Sequence, residues 1–380
     1  NRAQTADDIV AAIRGFRNPG VNVVFADADG RIGYRLAAAV PVRRAGDGVL
    51  PAPGADGTHD WIGTVPYDSL PRSLDPAEGY IVTANNLPQD GGPYVGAHFM
   101  PGYRAARIVQ MVEAAPQHDA ASTHEIQLDL YDLFAERHLD RAVRAARDAG
   151  LPDAARRLQG WDRRARAESR AAALFYTWVE RLRWHAASDD YGDTLGYFPW
   201  EVLDRMMTEG ASAWFDDTRT PEPETIEAVA ARALRDAVSL VGDRMWGEIH
   251  PLVNEHPLGR VRWLDRLVGF HVGPFPAAGS PFTVNAAHHR GTVGPNGGDP
   301  RPPFPITWAA SQRHVVDLAD PDGQGGFVLP TGNSGHPLSP HYDDQVASWR
   351  SGGLHPIPVD PARARETAAR ELVLVPAPRA

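Results

Sequence analysis

The chain has 380 residues, a formal net charge of −10, 43% hydrophobic residues and no cysteine. It exceeds the usual single domain of about 100–200 residues and is too apolar for a disordered chain. The acidic balance, without a long basic tract, disfavours nucleic acid as the main partner, and the missing thiols exclude disulfides, thiolate zinc sites and a cysteine nucleophile within these residues. No apolar run approaches the roughly 18–20 residues of a membrane span. No signal peptide opens the sequence, as expected also of an internal fragment.

Residues 1–103 read mainly as strands and turns. Ile9, Val10, Ile13 and Phe16 recur at helical spacing and predict a short helix over Ala6–Phe16. Val21–Ala26 and Arg31–Ala37 are apolar segments joined by Asp27-Ala28-Asp29-Gly30, whose Asp-Gly pair favours a tight hairpin. Gly79–Ala84 predicts another strand. Residues 104–255 turn helical in period, beginning with Arg104–Ala115. Ser122-Thr123-His124-Glu125 reads as a capping box ahead of a helix over Ile126–Ala149. Pro152–Ala187 and Pro221–Val241 follow, each with proline near its start, and Pro199–Gly210 predicts a shorter helix between them. Residues 256–380 return to strands and loops, with strands predicted over Phe282–Ala287, His314–Leu318 and Gly326–Pro330. Val293–Pro305 is rich in Pro and Gly and predicts an extended loop. A short helix from Asp360 and a strand over Leu372–Val375 close the chain. Sheet, helical block, then sheet predicts an α+β fold.

Two segments carry the chemistry. Gly79–Asn86 (GYIVTANN) runs an apolar strand into adjacent amides, and Tyr103–Ile108 (YRAARI) opens a helix with two arginines. An amide at the end of a buried strand can hold an N–H donor rigidly where an oxyanion develops. Arg107 lies 22 residues after Asn85 and brings a charge that cannot be lost. On turn chemistry alone, the simpler reading of Asn85-Asn86 is a strand-terminating turn. Arg107 by itself reads as an exposed helix arginine, or one paired with Glu113 or Asp90. Arg104 shares its helix face at i,i+3 and competes for the role.

In this context the two segments resemble the penicillin acylase family of N-terminal-nucleophile hydrolases. There a glycine-led strand ends in Asn-Asn and a loop leads to Tyr-Arg-x-x-Arg-Ile. Val23–Tyr34, Pro51–Pro66, Glu168–Trp178, Trp246–Gly259 and Gly332–Trp349 resemble further family blocks in family order, so the resemblance covers nearly the whole chain. It implies the C-terminal part of a large (beta) subunit and part of a four-layer αββα core with a helical insertion. On that division, residues 1–103 are the strand-rich part of the core with the oxyanion-hole Asn. Residues 104–255 are the helical block, and 256–380 return to the core.

The resemblance selects Asn85 as the oxyanion-hole donor, leaves Asn86 as a turn residue and selects Arg107 over Arg104. A positive charge beside the free α-amino base would lower its pKa from about 7.7–8.0. The implied reaction is amide hydrolysis through an acyl-enzyme on an N-terminal Ser. Asn1 offers only a carboxamide, so the nucleophile is expected on a segment outside this chain. The implied partners are that remaining large-subunit segment, a small alpha subunit produced by autoproteolytic processing, and a small-molecule amide. Periplasmic or extracellular residence is implied too. Phenylacetyl, glutaryl, fatty-acyl and homoserine-lactone amides are all processed by such proteins; the substrate-binding residues are not assigned. No cofactor is required for the implied catalysis. Many members bind a structural calcium through carboxylates, one of them eleven residues after the oxyanion-hole Asn. Gly96 stands there, which weakens the expectation of calcium.

Two rival functions remain at this level. One is a non-catalytic binding protein of the same fold. The other is a metal-dependent hydrolase using His336, His341 and Asp343, out of a wider group of His288, His289, His336, His341, Asp343 and Asp344 that suggests a metal site. Against the second, no HExxH spacing occurs, and adjacent His288 and His289 would face opposite sides of a strand. Trp178, Trp184, Trp200 and Trp214 fall within or beside helical runs and read as core packing. Asp322–Gly326 lacks the lysine of a phosphate loop and reads as a surface turn.

Overall fold

A computed structural model describes residues 2–88, 91–192, 198–289, 300–323, 325–368, 372–373 and 375. Expectations that fall on Asp90, residues 293–299, Gln324 and Leu374 lie outside these residues. The chain divides into two compact units: 1–116, 128–255 and 273–309 form the first, and 117–127, 256–272 and 310–380 the second.

The first unit opens with α1 (Ala6–Ala12), where Thr5 and Asp8 form a reciprocal capping box. β1 (Val21–Ala26) and β2 (Ile32–Ala37) pair as the expected antiparallel hairpin, Ala26 opposite Ile32. Asp27 builds its turn: the carboxylate accepts from the Asp29 and Arg31 N–H groups, and Gly30 takes a φ of +85°. Gly33 is required for a different reason, since a Cβ there would lie 2.1 Å from the Phe25 ring. β3 (Pro41–Arg43) and β4 (Trp61–Thr64) form a separate ladder, while β5 (Arg72–Leu74) pairs with the other edge of β2.

Gly79–Ala84, expected as a strand, forms none. Side chains hold the segment instead. Asn22 Nδ2 donates to Thr83 Oγ1 at 2.9 Å, and the Tyr34 hydroxyl donates to Asn22 Oδ1 at 2.7 Å. An apolar run signals burial, but a ladder also needs a neighbour with an unpaired backbone edge.

Helices then dominate. α2 (Tyr103–Glu113) forms close to expectation. The long helix expected over Ile126–Ala149 is two, α3 (Ala120–Gln127) in the second unit and α4 (Leu133–Asp148) in the first. The capping signal was displaced: Asp119 accepts from the Ser122 N–H at 2.8 Å, and Asp132 caps α4 through the Ala135 N–H at 2.9 Å. The Pro152–Ala187 run likewise splits into α5 (Pro152–Gln159) and α6 (Arg170–Tyr191), the latter capped by Ser169. α7 (Trp200–Glu209) and α8 (Ile226–Val241) follow, then a single turn, α9 (Trp246–Ile249). α6 packs against α8, and α4 against α5 and α8. Alanines 172, 173, 186, 187, 230, 233 and 237 let α6 and α8 approach closely, and Phe134, Trp178 and Trp246 fill the space between elements. Trp184, Trp200 and Trp214 pack against the same core, as expected.

β6 (Pro251–Asn254) is followed by α10 (Arg262–Val268) of the second unit and by β7 (Val272–Pro276). β8 (Ala287–His289) and β9 (Ile306–Ala309) complete a sheet of order β7-β6-β9-β8, with β6 parallel and β8 antiparallel to β9. Phe282–Ala287, expected as a strand, is mostly turn. Ser280 and Thr283 satisfy the local backbone there through their hydroxyls, competing with a ladder.

In the second unit β10 (Arg313–Val315) and β11 (Gly326–Val328) pair antiparallel, shorter than expected. α11 (Val346–Ser351) brings Trp349 against the Arg313 guanidinium, 4.5 Å from the ring centroid. α12 (Pro361–Thr367) is capped by Asp360. Leu372, Val373 and Val375 form no strand and are exposed. The mixed content makes the protein α+β. Among the described residues no helix is long and apolar enough to cross a membrane.

Candidate functional site

A cavity of about 570 Å³ opens in the first unit. Leu36, Val40, Val95, Phe99, Met100 and Trp308 give it an apolar lining, and Asn22, Asn85, Asn86, His98, Glu201 and His288 bring polar groups. Apolar walls with a few convergent polar side chains are the usual composition of a small-molecule site.

Asn85 takes a left-handed backbone conformation, φ +61°, which asparagine tolerates better than most residues. The Met100 N–H donates to its carbonyl at 2.9 Å and fixes that conformation. Its side-chain Oδ1 accepts from Arg104 Nη2 at 2.8 Å. No described residue accepts from Nδ2. Asn86 does something else: Oδ1 accepts from the Ala84 N–H at 3.0 Å, and Nδ2 donates to the Leu87 carbonyl at 3.1 Å. Both ends of that amide are spent on the turn.

The structure separates the two arginines of YRAARI. Arg104 reaches Asn85, whereas Arg107 turns to Asp129, with Nε at 2.7 Å and Nη2 at 3.4 Å from the two carboxylate oxygens. Arg164 joins Asp129 at 3.0 Å, and the Tyr131 ring lies 4.9 Å from the Arg107 guanidinium carbon. Asn85 lines the cavity; Arg107 does not.

The first turn of α2 is anchored beside the cavity. The Tyr103 hydroxyl donates to Asp204 Oδ1 at 2.6 Å, and its ring packs edge-on to Phe134 and Phe282. Burial, then the Asp204 contact, push the phenol well above its ordinary pKa, so it remains a donor. Burial lowers Arg104 from its ordinary value, but an arginine keeps its charge.

His288 and His289 do face opposite ways on β8. His288 lines the cavity, and burial, the Arg104 charge and His289 together depress its pKa to about 4. It is therefore a neutral imidazole at neutral pH. His289 Nε2 lies 2.9 Å from the buried Glu180, which also meets Arg183 at 2.9 Å. Burial raises the Glu180 pKa, but Arg183 and His289 more than offset it and leave the carboxyl below its ordinary value. This buried trio went unread in the sequence. Its only signal is a Glu-x-x-Arg pair directly after the apolar run Ala171–Val179 of α6.

The other histidines do not converge. His341 Nδ1 lies 2.8 Å from Asp344, and His336 Nδ1 accepts from the Leu338 N–H. Among the described residues no three His, Asp or Glu side chains are grouped to hold a metal ion. At the position where a calcium carboxylate is implied, Gly96 supplies no side-chain oxygen, so that position does not fit the ion.

Comparison with known proteins shows the family of the chain. The penicillin amidase family model matches residues 1–366. An acyl-homoserine lactone acylase, QuiP, of Pseudomonas aeruginosa is 29% identical over 99% of this chain and 49% of its own. The penicillin acylase 2 proenzyme of Pseudomonas sp. strain SE83 is also 29% identical, over the same shares. The chain spans about half the length of these relatives. A thermostable penicillin G acylase from Alcaligenes faecalis superposes with a TM-score of 0.59 at 18% identity, covering 100% of this chain and 71% of that one, which shows a shared fold. The match over nearly all of its length makes this chain a member of the penicillin amidase family.

Proposed function

We propose that this chain forms part of an amidohydrolase that cleaves small-molecule amides through an acyl-enzyme. The observation that carries the reading is the Asn85 carboxamide at an apolar cavity, its oxygen occupied by Arg104 and its N–H groups without a protein acceptor among the described residues. A nucleophilic hydroxyl adds to the substrate carbonyl, and Asn85 donates to the resulting oxyanion. The α-amino base passes the hydroxyl proton to the departing amine. Water then adds to the ester and releases the acid. A neutral donor suits the task because its interaction strengthens as negative charge develops.

The nucleophile, an N-terminal Ser, belongs in this reading to a segment outside the chain, with a small alpha subunit made by processing of a precursor. The names of the relatives, a lactone acylase and a proenzyme among them, and their greater length support it. The apolar walls favour an apolar acyl group. No cofactor is required. The family's periplasmic or extracellular setting is carried with the reading and is tested by cell fractionation.

The test is to purify the full-length protein, read the N-terminal residue of every chain by mass spectrometry, and assay phenylacetyl, glutaryl and fatty-acyl amides. Release of free acid by an assembly with an N-terminal Ser is expected. Binding without turnover would instead favour the non-catalytic reading. Loss of turnover on chelation and its return with metal would favour a metal-dependent hydrolase.

A further inference from the structure

We infer that Arg104 is the positioning residue that decides which end of the Asn85 carboxamide is presented to the cavity. The inference rests on the amidohydrolase reading above. A carboxamide has two ends of nearly equal size. One accepts hydrogen bonds and the other donates them, so a half-turn about the last torsion would offer an oxyanion a repulsive oxygen. A guanidinium has only donors. At 2.8 Å, Arg104 Nη2 can face only Oδ1; the reversed amide would set donor against donor. The contact thus leaves Nδ2 and its two hydrogens for a ligand. It also polarises the amide, which strengthens those donors.

The supports of Arg104 are rigid. Tyr103 and Arg107, on either side of it in α2, are tied to Asp204 and Asp129. Asn85 cannot drift away, because the Met100 N–H holds its backbone in the left-handed conformation. Arg107 cannot replace Arg104, since two of its nitrogens are committed to Asp129.

The experiment compares full-length wild type with Arg104→Ala, Arg104→Lys, Asn85→Ala and the Arg104→Ala/Asn85→Ala double variant. Arg104→Ala is expected to lower kcat by about 10- to 100-fold with little change in KM, because the donor is misdirected rather than removed. The double variant should be no slower than Asn85→Ala alone. Added guanidinium should restore part of the Arg104→Ala rate, but none of the double variant's. Wild-type kcat in Arg104→Ala, or multiplicative losses in the double variant, would overturn the inference. Asparagine-selective 15N labelling gives a readout independent of turnover, the Asn85 side-chain signals being identified by their loss in Asn85→Ala. One sharp carboxamide pair is expected in wild type and a split or broadened pair in Arg104→Ala, with Arg104→Lys between them. Identical spectra in all three would overturn the inference. A wild type inert toward every amide would instead sink the amidohydrolase reading and leave the spectra to decide the positioning.

Discussion

Arg107 spans both carboxylate oxygens of Asp129, a side chain only 4% exposed, and so fixes the start of α2 against the segment that leads into α4. A lysine ammonium is a point charge and cannot match that fork. Arg107→Lys should therefore lower thermal stability, and Arg107→Leu should lower it further, by about 2–3 kcal/mol. That lies below the usual 3–5 kcal/mol for breaking a buried pair, because Arg164 remains on Asp129. Differential scanning calorimetry checks it. If Arg107 also acts as a charge on an α-amino base, Arg107→Leu should move the acidic limb of kcat/KM upward, since the ammonium loses a repulsive neighbour. An unmoved limb with a lowered Tm would confine Arg107 to pinning the helix.

Asn85 and Asn86 are adjacent yet should separate cleanly in kinetics. Both line the cavity, but only Asn85 has an Nδ2 without an acceptor among the described residues, so Asn85→Ala should lower kcat by about 10²–10³ in the full-length protein. Asn86→Ala removes two bonds to the turn backbone and should cost about 1–2 kcal/mol of stability with a small change in kcat. Paired kinetics and thermal melts decide. Equal, small kinetic effects from both would sink the assignment of Asn85.

Much of this was legible in the residues. The Asp-Gly turn and its flanking apolar runs specified the first hairpin, and helical spacing located α2, α7 and α8. Periodicity did not reveal where long helical runs break. Asp132 and Ser169 interrupt them by capping fresh helices, and each looks like one more polar residue on a helix surface. The strand at Gly79–Ala84 failed because its apolar pattern carries no information about a pairing neighbour. At the site, both arginines share one face by spacing, and only three-dimensional placement sends Arg104 to Asn85 and Arg107 to Asp129. Asp129 lies beyond α3, where no local pattern links it to either.

Glu180, Arg183 and His289 form a buried polar cluster with side chains no more than 2% exposed. Removing the Glu180 charge leaves Arg183 without its carboxylate in a low-dielectric core. Glu180→Gln should destabilise the fold by about 3–5 kcal/mol, more than an exposed ion pair such as Arg205–Glu209 would lose on Glu209→Gln, about 0–1 kcal/mol. Urea unfolding of the two variants tests the contrast. Similar midpoints would show that the trio adds nothing beyond its packing.

Acid should destabilise the fold through two histidines. Burial first, then the neighbouring His289, hold His250 well below its ordinary value; burial, Arg104 and His289 hold His288 at about 4. In the unfolded chain both titrate near 6.5. Between those values the unfolded chain binds more protons than the folded one, so stability is full above about pH 6.5 and falls as pH drops toward 4. At about 1.4 kcal/mol per pH unit, His288 accounts for at most about 3 kcal/mol of that loss. Buried Asp132 works the other way: burial raises its carboxyl, against the Ser280 and Tyr176 hydrogen bonds, so protonation relieves the folded state. Wild type and His288→Asn share Asp132, so the difference between them from pH 6.5 to 4 reads the histidine. Denaturant melts across that window should show a steeper fall for wild type than for His288→Asn. Parallel curves would show that His288 stays exposed to protons in the folded protein.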